Sequence, residues 1–129
     1  MLKVGLTFSQ TLTVTKELTA SNLGSGALPV YGTPYMIAFM EGTSRHCVQE
    51  HLDEGCGTVG TMVSIKHLAA TPIGMKVTCE AKLIEIDRRR LVFEVKAYDE
   101  KGLIGEGTHE RFIIQNDKFM EKTLAKLNQ

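Results

Sequence analysis

A run of six apolar residues from Tyr35 to Met40 constrains the fold of this chain more than any other feature. Thr33 and Pro34 precede the run, and such a pair is typical of a helix start, because the hydroxyl caps the helix and proline has no N–H to leave unpaired. The pattern predicts a helix over residues 34–52. Its first half is apolar on every side, so we expect other elements to wrap it.

The wrapping is predicted from β-rich segments that are separated by short turns. These segments cover residues 7–15, 57–67, 74–86, 89–100 and 103–115. Short links favour antiparallel neighbours, so the last four segments are predicted to form a meander, with the first available as a fifth strand. Asp117 is predicted to cap a short C-terminal helix over residues 118–127.

This order of elements predicts an α+β protein with the hot-dog fold. In that fold an antiparallel five-stranded sheet wraps around one long central helix, here followed by a short C-terminal helix. The 129 residues suit a single domain spanning 1–129. One thin sheet around one helix leaves an edge uncovered, so we expect a homodimer or a higher homo-oligomer.

Composition and charge exclude several classes of function. Fifteen Lys and Arg balance fifteen Asp and Glu, and the longest block of like charge is Arg88 to Arg90, so nucleic acid is a poor partner. No apolar stretch is long enough for a membrane span or a secretory signal, which predicts a cytoplasmic protein. Three cysteines without a close pair suit a reducing compartment.

Two local patterns remain as candidate sites. His46, Cys47, His51 and Cys56 are metal-ligand types, but their spacing matches no familiar zinc pattern, so a helix surface is the favoured interpretation. The stretch 19–32 is dense in turn formers and is predicted to be a long loop, of the kind that often serves as a lid.

Three polar residues are candidates for chemistry, and each has a structural alternative. Glu41 interrupts the apolar helix, where it is either a reactive carboxylate or one half of an ion pair with Arg45. His67 ends a strand whose alternation places Val59, Val63, Ile65 and His67 on one face, as a core histidine or a general base. Thr33 is either a plain helix cap or part of an oxyanion site with the free N–H groups of Tyr35 and Met36.

Three stretches within residues 28–120 resemble the family of fluoroacetyl-coenzyme A thioesterases and their hot-dog relatives. They are Thr33-Pro-Tyr-Met-Ile-Ala-Phe-Met-Glu41, Gly60-Thr-Met-Val-Ser-Ile-Lys-His67-Leu-Ala-Ala-Thr-Pro72 and Gly107-Thr-His-Glu-Arg-Phe112. The resemblance implies a catalytic set of Thr33, Glu41 and His67 that hydrolyses a small acyl-CoA thioester. It implies no metal or redox cofactor, with coenzyme A entering only as part of the substrate.

Other residues are weaker candidates for substrate binding: Gly60, Leu28, Tyr35 and Arg111. Gly60 either lets the backbone approach the acyl group or marks a bulge. Arg111 and the Arg88 to Arg90 turn either meet coenzyme A phosphates or are solvated strand ends.

The sequence departs from the family pattern at two places. Pro34 stands where relatives usually have glycine, and the predicted lid has no phenylalanine, so selectivity for fluoroacetyl groups is not expected. A helix advances about 12 Å over eight residues, which is too far for Thr33 and Glu41 to touch within one chain. We therefore expect the site to lie at a dimer interface.

Two other functions remain possible on this fold. One is a non-catalytic module that binds an acyl-thioester or another small apolar ligand. The other is a dehydratase or isomerase, although that activity is expected to need a different arrangement of His and Asp or Glu on the helix. The fold by itself does not separate these functions.

Overall fold

The computed structural model describes all residues 1–129 and contains one antiparallel sheet and one long helix. The strands are β1 (Thr7–Thr13), β2 (Cys56–His67), β3 (Lys76–Asp87), β4 (Arg90–Asp99) and β5 (Gly102–Gln115). The helices are α1 (Ala20–Leu23), α2 (Thr33–Gln49) and α3 (Asn116–Leu124). No helix is both long and apolar enough to cross a membrane.

The strand order is β1-β3-β4-β5-β2, so the predicted four-strand meander is wrong. Only β3, β4 and β5 follow one another as neighbours, while β2 pairs with β5 at the far edge. The link of residues 68–75 crosses three strand spacings, about 14 Å, and eight extended residues span more than that. The link between β2 and β3 is therefore long enough for the two strands to lie apart in the sheet instead of pairing.

Helix α2 packs only one face against the sheet. Met36, Met40 and Val48 are fully buried and join a core with residues of β3 and β4, including Leu83 and Phe93. The prediction that the helix is buried all round is wrong within one chain. Its opposite face, which includes the exposed Ala38 and Arg45, has no cover.

A β-bulge in β2 changes which side chains share a face. The register shifts between Gly60 and Met62, so that Val59 pairs with Phe112 whereas Val63 pairs with His109. Phe112 and His109 are three residues apart and lie on opposite faces of β5. Val59 therefore does not share a face with Val63, Ile65 and His67, as simple alternation predicted.

The segments outside the sheet also differ from prediction in detail. The predicted loop 19–32 contains helix α1, whose first turn is capped by the Thr19 hydroxyl accepting from the Asn22 N–H at 3.2 Å. Helix α3 begins at Asn116, so Asp117 lies within its first turn and does not cap it. A 3-10 turn over Ala125–Asn128 continues the chain.

Candidate active site

The N-terminus of α2 brings Thr33 into contact with His67, which ends β2. Thr33 Oγ1 lies 2.7 Å from His67 Nδ1, and in the neutral tautomer with the proton on Nε2 the hydroxyl donates to Nδ1. Gly32, and not Thr33, occupies the N-cap position, and no side chain caps the helix. The interpretation of Thr33 as a plain cap is therefore wrong, because its hydroxyl is held by the imidazole.

Burial shapes the chemistry of His67. Desolvation lowers the pKa of His67 below the ordinary histidine value, and the neighbouring Ala69 backbone partly opposes this shift. The Nε2 atom is buried and has no hydrogen-bond partner. A neutral imidazole with Nδ1 turned to a hydroxyl is the state in which histidine acts as a general base.

The backbone at the start of α2 leaves one donor unused. The N–H groups of Tyr35 and Met36 both donate to the Gly32 carbonyl, at 3.0 and 3.1 Å, so the prediction that they are free is wrong. Pro34 has no N–H. The Thr33 N–H is the remaining donor of this turn, because no acceptor contacts it.

Thr33 and His67 open onto a cleft with a volume of about 690 Å³. Its other lining residues are mostly apolar and come from the segment around α1, the start of α2 and the link after β2: Ala20, Ser25, Val30, Tyr31, Pro34, Ile37, Leu68, Ala69 and Ala70. The predicted lid segment therefore forms one wall of the cleft. Leu28 lies outside it at the loop tip, 66% exposed, and Tyr35 does not line it.

Glu41 belongs to a second polar group, separate from the Thr33–His67 pair. It lies eight residues after Thr33 in α2. An ideal Cβ on Gly60 would stand 2.9 Å from Glu41 Oε2 and 3.2 Å from His109 Cε1, so the absence of a side chain at Gly60 makes room for both. Glu41 forms no salt bridge with Arg45, so the ion-pair alternative is wrong. Within this chain the structure brings together Thr33 and His67 but not Glu41.

Arg111 is the centre of this second group, which we call the arginine cluster (Glu41, Thr58, His109 and Arg111). Arg111 is 6% exposed and donates from Nε to Thr58 Oγ1 at 2.7 Å and from Nη2 to the Thr58 carbonyl at 2.8 Å. Its Nη1 lies 3.2 Å from His109 Nε2. Burial lowers the pKa of Arg111, and the Glu41 carboxylate opposes that shift.

His109 is a polar core residue that the sequence did not single out. Its Nδ1 lies 2.8 Å from the Met62 carbonyl, so Nδ1–H donates there and Nε2 accepts from Arg111. Burial is the main cause that lowers the pKa of His109, with Arg111 adding to the shift. The available signal was its i+2 spacing from Arg111 in one strand, which places both on the same face.

The side chains of the other two sequence clusters, the histidines and cysteines of 46–56 and the arginines of 88–90, have different partners from one another in the structure. His46 Nδ1 is 2.7 Å from the Gly42 carbonyl, Cys47 is buried in the core, and His51 lies near the N-terminal amine. No group of three or more His, Cys, Asp or Glu side chains is arranged to hold a metal ion. In the arginine turn, Arg90 pairs with Glu85 and Glu110 while Arg89 has no carboxylate partner.

A family model described as FlK, fluoroacetyl-CoA-specific thioesterase, matches residues 14–117. The chain belongs to this family. A fluoroacetyl-CoA thioesterase from Streptantibioticus cattleyicolor is 39% identical over 97 residues, which cover 75% of this chain and 70% of that protein. The predicted resemblance is thereby confirmed, and the family is one of acyl-CoA thioester hydrolases.

Solved structures show the same fold. A variant of the fluoroacetyl-CoA-specific thioesterase FlK in complex with fluoroacetate and CoA has a TM-score of 0.87 and 35% identity, covering 92% of this chain and 99% of that one. A hypothetical protein from Thermus thermophilus, a thioesterase superfamily member, has a TM-score of 0.89 and 32% identity, covering 99% and 94%. The predicted hot-dog fold is confirmed.

Tyr31 lines this cleft, and its buried hydroxyl allows a test of whether water reaches the wall of the cleft. Its ring meets the His67 ring edge-on, with centroids 6.4 Å apart, and its buried hydroxyl has no partner. Burial of that hydroxyl raises the pKa of Tyr31. Because an unsatisfied buried hydroxyl costs about 1 kcal/mol or more, Tyr31→Phe is expected to leave the free energy of unfolding unchanged or to raise it by up to about 1 kcal/mol.

Urea denaturation of the two proteins measures this difference. Leu91→Ala, which truncates a core side chain elsewhere, is the control and is expected to cost about 2 to 5 kcal/mol. A clear loss of stability in Tyr31→Phe would mean that the hydroxyl has a partner such as a buried water.

Proposed function

We propose that this chain hydrolyses a small acyl-CoA thioester with Thr33 and His67 as a nucleophile and base pair. The 2.7 Å contact between Thr33 Oγ1 and His67 Nδ1 carries the proposal, because it is the geometry in which imidazole activates a hydroxyl. The apolar cleft beside the pair has room for a small acyl group. No metal or redox cofactor takes part in this scheme, and coenzyme A is only the leaving group.

The reaction has two halves. Thr33 Oγ1 attacks the thioester carbonyl carbon while His67 Nδ1 takes the hydroxyl proton, and the oxyanion that forms lies at the free Thr33 N–H. Collapse of the oxyanion expels the coenzyme A thiolate, which takes the proton from His67. Water then attacks the threonyl ester while His67 takes one of its protons. The bond between the acyl carbon and Thr33 Oγ1 breaks, Oγ1 takes the proton from His67, and the carboxylic acid leaves.

Glu41 is assigned to the same reaction through a second copy of the chain. We propose a homodimer in which the partner subunit's Glu41 reaches the cleft beside Thr33 and His67. Two features support this arrangement: β2 is an unpaired edge of 12 residues, and the face of α2 with the exposed Ala38 and Arg45, which Glu41 borders, is uncovered. Val63, on the inner face of the same edge strand, is 38% exposed.

The size of the particle in solution tests the dimer. Sedimentation equilibrium is expected to give a mass of twice the 14.2 kDa chain. Val63→Lys, which places a charge at the centre of the expected interface, is expected to shift the mass toward one chain. Lys96→Glu on β4 is the control, and a monomeric wild type would contradict the arrangement.

We also propose that the protein works in the cytoplasm. Its three cysteines, Cys47, Cys56 and Cys79, are free thiols, as suits a reducing compartment. The acyl group is proposed to be small and apolar, because seven of the eleven residues lining the cleft are hydrophobic. Selectivity for fluoroacetyl-CoA is not part of the proposal.

Release of free thiol from a panel of acyl-CoA thioesters tests the activity. Fluoroacetyl, acetyl, propionyl, isobutyryl and benzoyl thioesters sample size and shape, and we expect turnover with at least one of the smaller groups. Glu41→Gln is expected to reduce kcat without preventing folding. A wild type that binds but hydrolyses none of these compounds would favour the alternative of a non-catalytic binding module.

The pH dependence follows from the His67 environment. The base must be neutral, and burial lowers the pKa of His67, so kcat/KM is expected to hold constant from neutral pH down past the ordinary histidine value of about 6.5. It then falls tenfold per pH unit once the pH drops below the His67 pKa. A pH–rate profile measures this, and a midpoint above about 6.5 would contradict the role of burial.

A further inference from the structure

A strip of two alanines separates the candidate active-site cleft from a second cavity. Ala69 and Ala70 line the cleft of about 690 Å³, and they also line a cavity of about 230 Å³ that borders Asp99 and Ile104. We call the second one the rear cavity. Both alanines are exposed, so side-chain packing does not hold them in place. The position of this alanine strip therefore depends on how the link of residues 68–75 is attached to the sheet.

Thr71 attaches this link to the sheet. It is 0% exposed, and it is the only buried residue of the link. Its hydroxyl donates to Asp99 Oδ2 at 2.8 Å. A buried hydroxyl needs a partner, and a hydrogen bond to a carboxylate is stronger than one between two neutral groups. The Thr71 side chain therefore ties the link to Asp99, the last residue of β4.

The Asp99 carboxylate joins the link to the β4–β5 turn. Its Oδ1 accepts from the Lys101 N–H at 2.8 Å, while its Oδ2 accepts from Thr71. Asp99 forms no salt bridge, so its two oxygens serve these polar donors and not a cation. β5 follows this turn, and its Ile104 carbonyl accepts from the Leu68 N–H at 2.6 Å. Hydrogen bonds on either side of the alanine strip thus hold it to one corner of the sheet.

The same threonine holds a second segment of the cleft. The Tyr31 N–H donates to the Thr71 carbonyl at 2.9 Å, and Val30 forms an isolated β-bridge with Pro72. Val30 and Tyr31 both line the cleft, whereas Thr71 does not. Thr71 therefore acts on the cleft through the two segments that it connects, and not through contact with a ligand.

We propose that the Thr71–Asp99 hydrogen bond limits the size of the acyl group that the cleft accepts. With the bond intact, the alanine strip stays in place and the cleft keeps its width. Without the bond, the strip moves into the rear cavity and the cleft admits a larger acyl group. Thr71 and Asp99 are positioning residues, because neither contacts the reacting atoms. This inference rests on the proposed thioesterase function, since selectivity is measured from hydrolysis.

Selectivity between acyl groups tests the proposal. Thr71→Val keeps the shape of the side chain and removes the hydroxyl. In this variant the kcat/KM for benzoyl-CoA, divided by that for the best small acyl-CoA of the panel, is expected to rise about tenfold. Thr71→Ser restores the hydroxyl and is expected to return this ratio to within about twofold of wild type. Asp99→Asn, which replaces one acceptor oxygen by a donor, is expected to shift the ratio in the same direction as Thr71→Val.

Thr43→Val is the matched control. Thr43 is also 0% exposed, and its hydroxyl oxygen lies 2.9 Å from Gln10 Oε1 and 2.7 Å from the Phe39 carbonyl oxygen, but it does not line the cleft. Loss of this buried hydroxyl is expected to lower stability and to leave the benzoyl ratio unchanged, because a less stable protein loses activity toward all acyl groups alike. An unchanged ratio in Thr71→Val, or an equal rise in Thr43→Val, would overturn the proposal.

Hydrogen exchange gives a readout that does not depend on turnover. The Tyr31 and Ala69 N–H groups donate to the carbonyls of Thr71 and Ile104. Both are expected to exchange about tenfold faster in Thr71→Val than in Thr43→Val, because the segments that they hold come loose. If wild type hydrolyses no thioester and this difference appears, the proposed activity fails and the anchoring role of Thr71 stands. If hydrolysis occurs and neither the exchange rates nor the benzoyl ratio differ, the anchoring role alone fails.

Discussion

Replacing His67 by alanine is expected to lower kcat/KM by about three orders of magnitude, on the order of 4 kcal/mol of transition-state stabilisation. The reason is that His67 Nδ1, at 2.7 Å, is the only side-chain hydrogen-bond partner of Thr33 Oγ1 within its own chain, and so the base placed to take its proton. Thr33→Ala is expected to cost a similar factor, and the double variant no more than either alone, because the two residues act as a unit. Thiol release under single-turnover conditions measures the loss.

The controls keep this result interpretable. His46→Ala removes an exposed histidine that contacts the Gly42 carbonyl and is expected to leave kcat/KM unchanged. Thr33→Ser keeps a hydroxyl within reach of His67 and is expected to retain most of the activity. Retention of full activity in both His67→Ala and Thr33→Ala would contradict the assignment of the reacting pair.

Gly107→Ala is expected to lower the free energy of unfolding by about 3 kcal/mol or more, the largest stability effect we expect from a single methyl group. A Cβ on Gly107 would overlap the Ser64 carbonyl oxygen and lie 2.6 Å from Ile65 Cα. Both are backbone atoms of β2, and neither can move unless the pairing of β2 with β5 opens. Chemical denaturation measures the loss.

Gly42→Ala is the matched control for this change. Gly42 lies inside α2, and a Cβ there meets nothing within 4 Å, so alanine is expected to stabilise the helix by about 0.5 to 1 kcal/mol. Because His67 ends the strand that Gly107 supports, Gly107→Ala is also expected to reduce turnover. Equal stabilities of the two variants would contradict the close approach of β2 and β5.

Parts of the candidate site can be predicted from the sequence because they depend on residues that are neighbours along the chain. Thr33-Pro34 ahead of an apolar run marks a helix start, and Gly60 within a β-rich segment marks a bulge or a close approach, of which the structure shows both. Arg111 and His109 alternate in one strand, but alternation does not say which face is buried. Their burial depends on β5 being an interior strand, and that is a property of the sheet order.

The surroundings of Glu41, in contrast, could not be predicted from the sequence. The sequence shows a carboxylate in an apolar helix, which is compatible with an ion pair to Arg45 or with catalysis. The structure places it at Gly60 and among charges that influence His109 and Arg111, eight residues along α2 from Thr33. No pattern within one helix predicts this, because the neighbours of Glu41 come from β2 and β5.

The apolar run before Glu41 and the β-rich segments after it determine by themselves that one helix lies against an antiparallel sheet, since apolar side chains need that burial. The tertiary structure alone decides that β2 crosses to the far edge, that Thr33 meets His67 instead of capping its helix, and that one face of α2 stays open. The reason is physical: periodicity is set by a residue's own neighbours along the chain. Strand order and the meeting of residues 34 positions apart are set by which segments fill the same space.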